Sequence, residues 1–283
     1  MKFLDWQRVQ WIIDNMLAED VGQGDVTSIG VVSEDRTATA QIISKDNGVI
    51  AGLAIAKRAF ETRDAGLTIV QPVADGVTVA TGAVLLKITG SGRSILEAER
   101  VALNLIGRLS GIASQAQRFV QKVAGTRATI LDTRKTAPLI RELDKYAVRA
   151  GGAQNHRHGL HDMVLIKENR IRYAGGIAAA LQQIIKKQQA TAHKIEIEVR
   201  TLDELQQALA FQVDRIMLDN FSLTDLRRAV TLVDGAVELE ASGGVTLERV
   251  AAIAATGVDF ISVGALTHSV RNFDVSLLFD TGN

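Results

Sequence analysis

The fold is decided by one stretch of four short apolar runs, KIEIEV (194–199), RIMLDN (215–220), VELEASGG (237–244) and FISVGA (260–265). Their centres lie about 20 residues apart, and the intervening LDELQQALA, LTDLRRAV and LERVAAIAATG have the hydrophobic spacing of helices. Strand–helix units of this length predict a parallel sheet with right-handed crossovers.

Two earlier runs extend the series toward the N-terminus, ATILDT (128–133) and MVLIKEN (163–169). Together the runs make six strand–helix units, too many for a small sandwich. They predict an α/β barrel, complete or incomplete.

The first third of the chain has a different pattern, which is typical of an α+β domain. The spacing of Phe3, Trp6, Val9 and Ile13 predicts a helix, and a second helix is predicted over residues 53–63. The acidic, glycine-broken EDVGQGDVTS is predicted to be a loop. Strands are predicted at TATAQIISK, LTIVQPV, VTVA and AVLLKIT.

A long helix is predicted from Ser94, which has the spacing of a capping box with Glu97. Its apolar stripe comprises Val101, Leu105, Leu109, Ile112, Ala116, Phe119 and Val123. Arg100, Gly107 and Gly111 fall on another face, where the glycines allow close approach of a second backbone or of a ligand. The pattern alone leaves open whether Arg100 is solvated or functional.

The composition excludes several classes of protein. Thirty-two basic residues balance 32 acidic ones, so no overall positive field recruits nucleic acid or an anionic membrane. The chain has no cysteine, which excludes disulfides and thiolate metal sites. No apolar run approaches the roughly 20 residues of a membrane helix, and the N-terminus lacks the apolar region of a signal peptide. We therefore expect a soluble, cytoplasmic protein that binds neither nucleic acid nor membranes.

Polar residues close each predicted strand, and in α/β barrels the ligand site lies where these strand ends converge. In TILDTRKTAP (129–138), two acceptors, Asp132 and Thr133, precede two cations, Arg134 and Lys135. The later runs close with Lys167, Glu198, Asp219, Ser242-Gly243-Gly244 and Gly264. Cations thus follow the early strands, carboxylates the middle ones and glycine turns the last two, which predicts an anion site.

The glycine turns and the carboxylates each allow more than one interpretation. SGG and VGA can present successive backbone N–H groups beside helix N-termini, an arrangement that binds phosphate, or they only make tight turns. Glu198 and Asp219 can be a general acid/base pair, Mg²⁺ ligands or partners of the lysines.

Three of the five histidines, His156, His158 and His161, lie in GGAQNHRHGLHD (151–162). Their spacing matches no common metal motif, and Arg157 beside them would repel a cation. We expect His156 and Arg157 to act toward an anion, and His158 and His161 to be structural.

The chain carries, in order, EAERVALNLIGRLSGIAS, LDTRKTAP, YAVRAGGAQNHRHGLHDMVLIKEN, EIEV, MLDNF, EASGGV and SVGALTHS. Together with EDVGQGDVTS and GVIAG nearer the N-terminus, these segments resemble those of the quinolinate phosphoribosyltransferase family. The resemblance covers nearly the whole chain.

The resemblance implies a fold and an assembly. We expect an N-terminal α/β sandwich domain at residues 1–110, to which residues 270–283 return. We expect an open α/β barrel of the type II phosphoribosyltransferase kind at residues 111–269. The family pattern also implies a homodimer in which Arg100 of one subunit reaches the barrel of its partner.

The resemblance implies an activity as well. Quinolinate and phosphoribosyl pyrophosphate would give nicotinate mononucleotide, pyrophosphate and CO2 in NAD biosynthesis, with Mg²⁺ and without an organic cofactor.

Residue roles follow from the same resemblance. Quinolinate's carboxylates and nearby phosphate oxygens would be held by Arg134, Lys135, His156, Arg157 and Lys167. Glu198 and Asp219 would bind the ribose hydroxyls and Mg²⁺. The 5-phosphate would be cradled by Ser242, Gly243, Gly244, Gly264 and Ala265. Thr133 and Val263 complete the substrate-binding set, and the catalytic residues would be Lys135, Lys167, Glu198 and Asp219.

The chain departs from the family pattern at three points. TAPLIR (136–141) stands where a Pro-Gly usually follows the TRKT segment, GGAQNHR replaces GGGxNHR, and Arg170 replaces a histidine. The first two bear on loop geometry, and Arg170 bears on the charge near the site.

Three other interpretations compete with this one. A molybdenum-associated relative of the family shares the TRKT and HR segments, although DNF (219–221) and LIKEN favour the quinolinate enzyme. Lys167 could be the Schiff-base lysine of an aldolase-like barrel. A sensor could bind a phosphate ligand without turnover.

Overall fold

The structure is a computed structural model that describes residues 4–188 and 193–280. Phe3, which the sequence placed in the first helix, lies outside these residues. The chain forms two compact units. The first unit comprises Met1–Gln117, Thr136–Gly152 and Leu266–Asn283, and the second unit comprises Arg118–Lys135 and Ala153–Ala265. The predicted domain boundaries at residues 110 and 270 stay a prediction.

Up to the long helix, the elements in chain order are α1 (Trp6–Val21), α2 (Val26–Val31), β1 (Thr37–Ser44), β2 (Gly48–Val49), α3 (Leu53–Arg63), β3 (Thr68–Val70), β4 (Thr78–Val79), β5 (Val84–Ser91) and α4 (Gly92–Val123). The remaining elements are β6 (Thr129–Leu131), α5 (Arg141–Ala150), β7 (Val164–Ile166), α6 (Glu168–Ala174), α7 (Ile177–Gln188), β8 (Ile195–Val199), α8 (Leu202–Leu209), β9 (Arg215–Asp219), α9 (Leu223–Val233), β10 (Glu238–Ser242), α10 (Val250–Ala254), β11 (Phe260–Ser262), α11 (Ala265–His268) and β12 (Val275–Phe279).

The first unit is built on an antiparallel sheet in the order β12–β1–β5–β3, and β2 pairs with β4. Ile42 of β1 lies opposite Leu86 of β5 and Leu277 of β12. Ile42 and Leu86 are fully buried, as is Phe60 on the inner face of α3. The predicted helix at residues 53–63 and the strands predicted in this third of the chain are confirmed.

The segment EDVGQGDVTS contains a helix, so the prediction of a loop was wrong. Asp25 is the N-cap of α2, because its Oδ1 accepts the backbone N–H groups of Thr27 and Ser28. A helix of six residues gives too short a pattern to be seen in the sequence.

The capping box predicted at Ser94 was also wrong. Helix α4 begins at Gly92, directly after β5, and Ser91 Oγ accepts the N–H of Ser94 at 3.3 Å. Glu97 forms an ion pair with Arg63 at 2.5 Å. The apolar stripe of α4 is confirmed, since all its members are buried.

The glycine face of α4 receives another backbone. A Cβ placed on Gly111 would overlap the carbonyl oxygen of Arg271, and one on Gly107 would lie 3.1 Å from the carbonyl oxygen of Phe273. Phe273 in turn donates its N–H to the carbonyl of Gly107 at 2.8 Å. The sequence left open whether a second backbone or a ligand approaches these glycines. The structure shows a backbone there.

Gly111→Ala should therefore destabilise the protein. Overpacking against a fixed carbonyl lowers the free energy of unfolding by about 1–3 kcal/mol. Gly30→Ala in α2 is the matched control, because nothing lies within 4 Å of a Cβ at that position. Urea denaturation should show a lower free energy of unfolding for Gly111→Ala but not for Gly30→Ala. Equal effects of the two changes would contradict this packing.

The second unit is a six-stranded parallel sheet in the order β6–β11–β10–β9–β8–β7. In register, Ser242 lies opposite Asp219 and Glu198 opposite Met217. Strands β6 and β7 are the edges, so the described residues form an open sheet and no closed barrel. The predicted fold class, an α/β protein with a parallel sheet that stays open, is confirmed.

Parallel pairing brings all six carboxyl ends to one edge of this sheet. Successive side chains point to opposite faces of a strand, so Glu196 and Glu198 share one face of β8, and Glu240 and Ser242 one face of β10. The edge and the layer below it therefore carry polar side chains from neighbouring strands.

No helix within residues 4–188 and 193–280 has the length and apolarity needed to cross a lipid bilayer.

Candidate active site

The second unit contains every predicted site residue except Arg100. The strand-end residues lie at the carboxyl ends of parallel strands, as predicted: Arg134 and Lys135 after β6, Lys167 after β7, Glu198 in β8, Asp219 in β9, Ser242–Gly244 at the end of β10, and Val263, Gly264 and Ala265 after β11. Arg100 is an exposed residue of α4 and belongs to the first unit.

Lys167 and two carboxylates form the most tightly paired group at this edge. The Nζ atom of Lys167 lies 2.5 Å from Oε2 of Glu198, and the N–H of Glu168 donates to Oε1 of the same carboxylate at 3.3 Å. Arg200 Nε lies 3.8 Å from Asp219 Oδ2. The sequence analysis missed Arg200, which stands just after β8.

The carboxylate of Asp219 lies near that of Glu198, which carries the same charge. Burial raises the pKa of Asp219, and the charge of Glu198 raises it further, against the opposing effects of Lys167 and Arg200. The negative charges of Glu198 and Asp219 are thus close enough to repel, and an added cation would relieve the repulsion.

The cations at the other end of the edge also crowd one another. Burial lowers the pKa of Arg157, and the neighbouring charges of Arg134 and Arg170 lower it further. Arg134 is half-buried and Lys135 exposed, and the backbone N–H of Lys135 donates to Thr133 Oγ1 at 3.1 Å. A guanidinium group with two others as neighbours favours a ligand with several anionic oxygens.

Asp132 organises the segment that carries His156 and Arg157. It is fully buried; its Oδ1 accepts the N–H of His156 at 2.8 Å, and its Oδ2 accepts Asn155 Nδ2 at 2.7 Å. Arg157 Nη1 donates to the carbonyl of Met163 at 3.1 Å. Of the two acceptors in TILDTRKTAP, Asp132 therefore supports the protein rather than a ligand.

His156 is buried between two glutamates that the sequence analysis missed. Its Nε2 lies 3.2 Å from Glu196 Oε2 and 3.4 Å from Glu240 Oε2, and its Nδ1 accepts the N–H of Arg157 at 2.7 Å. Burial lowers the pKa of the His156 ring, whereas the nearby carboxylates of Glu196 and Glu240 raise it.

Arg215 completes this buried layer. Its guanidinium lies 3.0 Å from Glu240 and 3.0 Å from Glu238, and its Cζ is 3.6 Å from the centroid of the Phe260 ring. Burial, and next the charge of Glu240, raise the pKa of Glu196. One sequence signal could have pointed to Glu196 and Glu240. Each is a carboxylate inside an apolar strand, two residues before the residue that closes that strand.

The turn after β10 requires its glycines. Gly243 has φ +87° and Gly244 φ +55°, and a Cβ on Gly243 would overlap the Asn220 amide. Asn220 itself has φ +59° and donates its N–H to the carbonyl of Ser242 at 2.9 Å. Arg249 Nη1, which the sequence analysis missed, donates to the carbonyl of Gly244 at 3.0 Å.

Val263 is part of the sheet and of the core. Its side chain is 1% exposed, and its N–H donates to the carbonyl of Leu131 at 2.8 Å. Its N–H is therefore engaged within the sheet, and its predicted contact with substrate stays a prediction.

The three histidines of residues 156–161 do not cluster. Within the part of the chain that the structure describes, the one group of three potential metal ligands is His156, Glu196 and Glu240. His158 is exposed and donates its N–H to Asp162 at 2.6 Å, and His161 is also exposed.

Comparison with known proteins assigns the family. The models of the N-terminal and C-terminal domains of quinolinate phosphoribosyl transferase match residues 25–110 and 112–278. The chain belongs to this family. Only one residue separates the two matched regions, which together cover most of the chain. The family resemblance seen in the motifs is therefore confirmed.

Relatives named nicotinate-nucleotide pyrophosphorylase match almost the whole chain. A chloroplastic nicotinate-nucleotide pyrophosphorylase (carboxylating) from Arabidopsis thaliana is 43% identical over 95% of this chain and 82% of its own length. A probable nicotinate-nucleotide pyrophosphorylase (carboxylating) from Bacillus subtilis is 41% identical over 94% of this chain and 91% of its own. The solved nicotinate-nucleotide pyrophosphorylase from Francisella tularensis is 42% identical and superposes with a TM-score of 0.92 over 97% of this chain and 96% of the other.

Gly243→Ala tests the turn at this edge. An L-residue at φ +87° is strained and its Cβ would meet Asn220, so the free energy of unfolding should fall by about 1–3 kcal/mol. Gly244→Ala is the comparison, because it is also in the left-handed region but its Cβ would lie 3.5 Å from Arg249. Chemical denaturation should show the larger loss for Gly243→Ala; the reverse order would contradict the packing against Asn220.

Proposed function

We propose that this protein transfers the phosphoribosyl group of phosphoribosyl pyrophosphate to quinolinate. Nicotinate mononucleotide, pyrophosphate and CO2 are the products, and the reaction serves NAD biosynthesis. The observation that carries the proposal is the charge pattern at the carboxyl edge of the second unit, where crowded arginines and a paired lysine stand beside two carboxylates and a glycine turn.

The arginine cluster is suited to quinolinate, which is a dianion. Arg134 and Arg157 offer planar guanidinium forks that match carboxylates, and Lys135 and Lys167 add point charges. Arg170, which stands where the family usually has a histidine, adds a further positive charge to this group. His156 belongs to the same segment, and Thr133 supports Lys135.

The carboxylates are suited to phosphoribosyl pyrophosphate and Mg²⁺. Glu198 and Asp219 offer the oxygen ligands that Mg²⁺ prefers, and their mutual repulsion favours a cation between them. When bound there, Mg²⁺ would neutralise charge on the pyrophosphate. The turn of Ser242, Gly243 and Gly244, with Gly264 and Ala265, would hold the 5-phosphate, and Arg249 stands beside it.

The chemistry needs few groups beyond these. The quinolinate nitrogen forms a bond to C1 of the ribose as the bond from C1 to pyrophosphate breaks, and Lys135 and Lys167 stabilise the charge that grows on the leaving oxygens. The alkylated ring nitrogen then accepts electron density as the C2 carboxylate leaves as CO2, and a proton replaces it at C2. The ring thus acts as its own electron sink, and we propose that no organic cofactor takes part.

We further propose a homodimer in which Arg100 contributes to the partner's site. The exposed position of Arg100 on α4 supports this role, since the side chain is open to a second subunit. A cytoplasmic location stays a prediction from the sequence.

The structure bears on two of the competing interpretations. A Schiff-base lysine must present its amine to a carbonyl, whereas the Nζ atom of Lys167 is engaged by Glu198 at 2.5 Å. A sensor of a phosphate ligand would have no use for the carboxylate pair. The molybdenum-associated relative differs in its acceptor, so an assay must separate it from the quinolinate enzyme.

The deciding experiment follows nicotinate mononucleotide and CO2 together. Purified protein is incubated with Mg²⁺, phosphoribosyl pyrophosphate and quinolinate, and parallel reactions contain nicotinate or no pyridine acid. Equal amounts of both products from quinolinate alone support the proposal. A folded protein that is silent with quinolinate would refute it and favour the molybdenum-associated relative.

Arg134→Ala should weaken quinolinate binding. Loss of one partner of a desolvated charge pair costs about 3–5 kcal/mol, so the Michaelis constant for quinolinate should rise by a factor on the order of 100 or more. Arg172→Ala on α6, an exposed arginine, is the control and should leave that constant unchanged. A near-normal Michaelis constant in Arg134→Ala would remove this residue from the site.

Asp219→Ala should weaken the binding of phosphoribosyl pyrophosphate in the presence of Mg²⁺ and leave the binding of quinolinate unchanged. Glu198→Ala should do the same, but it also releases Lys167 from its ion pair, which makes Asp219→Ala the cleaner variant. Asp203→Ala, at an exposed residue of α8, is the control. If calorimetry finds weaker binding of quinolinate and unchanged binding of phosphoribosyl pyrophosphate, the assignment of these carboxylates to phosphoribosyl pyrophosphate is refuted.

A further inference from the structure

Glu196 and Glu240 have no part in the reaction proposed above, although both are fully buried in the second unit. Their Oε2 atoms face His156 Nε2 at 3.2 and 3.4 Å. Carboxylates at such depth are costly unless they are paired, so a function is expected for the layer they form with His156 and Arg215.

A metal ion is the first candidate function, because one imidazole and two carboxylates make a plausible ligand set. Two contacts argue against it. Arg215 already holds Glu240 at 3.0 Å and keeps a fixed positive charge beside it. His156 Nδ1 accepts the N–H of Arg157, so the ring's proton lies on Nε2, which is the atom that a metal would need.

The glutamates favour a second proton on the His156 ring, and the Arg157 N–H at Nδ1 opposes it. We assign the form with one proton, on Nε2, because a proton on Nδ1 would point at another donor 2.7 Å away. The ring therefore turns Nε2 toward the glutamates on one edge and accepts a hydrogen bond from the main chain on the other. Its side chain is 5% exposed, and neither nitrogen is turned to a ligand.

We infer that Glu240 and Glu196 are positioning residues that fix the His156 ring, and through it Arg157, so that His156 serves the site without touching quinolinate. The inference deepens the proposed function and rests on it. Asp132 holds the same segment by the N–H of His156 and the amide of Asn155. The hydrogen bonds that Asp132 accepts, and the close approach of Glu196 and Glu240 to His156 Nε2, thus hold the backbone from which the Arg157 guanidinium extends.

Such locking matters because binding depends steeply on placement. A shift of about 1 Å in a binding group can cost on the order of a hundredfold in rate. Arg157 has one further anchor, the carbonyl of Met163, so rotation of the His156 ring would move its main chain directly.

Glu240→Met, with Glu238→Met as the matched control, tests this inference by kinetics. Both glutamates bind Arg215, so each change leaves Arg215 one carboxylate, but only Glu240 contacts His156. Glu240→Met should raise the Michaelis constant for quinolinate about tenfold or more and leave that for phosphoribosyl pyrophosphate within about twofold. Glu238→Met should change neither constant.

Two further variants separate positioning from simple stability. Glu240→Gln keeps an oxygen that can accept from His156, so it should restore a near-normal constant for quinolinate. The double change His156→Phe/Glu240→Met should be no worse than His156→Phe alone, since the two residues act as one unit. Additive losses, or a fall in kcat with unchanged Michaelis constants, would overturn the inference.

A measurement on the unaltered protein keeps the inference testable if Glu240→Met fails to fold. Nitrogen NMR of ¹⁵N-histidine-labelled protein, with His156 assigned by its loss in His156→Gln, reads the ring's protonation without any turnover. We expect one proton on Nε2 and no change in either ring nitrogen when quinolinate saturates the site. A proton on Nδ1, or a nitrogen that shifts on binding, would overturn the inference. Protein that shows no quinolinate binding or turnover would instead refute the proposed function, and the ligand-free spectrum would still decide the ring's protonation.

Discussion

Repulsion between like charges at one edge of a parallel sheet is the constraint on which the rest of this structure depends. Beyond the effect of burial, the charges of Arg134 and Arg170 lower the pKa of Arg157, and the charge of Glu198 raises the pKa of Asp219. Parallel pairing of six strands forces these ends together, because every strand finishes at the same edge. Ligands of complementary charge would relieve this repulsion, which is why we propose that substrates bind at this edge.

The layer below the edge makes this crowding tolerable. Asp132 holds Asn155 and His156, and Glu240 joins His156 to Arg215. Asp132 thus has hydrogen bonds, and Glu240 has the opposite charge of Arg215, as burial requires. The Arg157 guanidinium therefore extends from a main chain that is fixed from inside the sheet.

Much of this organisation could be predicted from the sequence. The spacing of the strand runs gave the parallel sheet, and the last residues of those runs gave the edge, because strand periodicity and parallel pairing depend on local pattern. The helix of Val26–Val31 was missed, since six residues give little periodicity, and its N-cap Asp25 looked like part of an acidic loop. The start of α4 was misplaced because Ser91, rather than Ser94, supplies the oxygen at its first turn.

The part of the site that escaped prediction is the part made by contacts distant in the chain. Glu196 and Glu240 are strand residues whose role depends on His156, and His156 comes from a segment between β6 and β7. No spacing rule connects them. The part that Val263 plays in substrate binding stays a prediction, and its N–H completes the sheet.

A crystal structure with quinolinate bound would test the central claim most directly, since the claim concerns where the two carboxylates lie. The account predicts density for quinolinate at the carboxyl edge of the six-stranded sheet, with its carboxylates within hydrogen-bonding distance of Arg134 and Arg157. It also predicts that both ring nitrogens of His156 keep the partners they have without ligand. Quinolinate bound away from this edge, or held there without either arginine, would contradict the account.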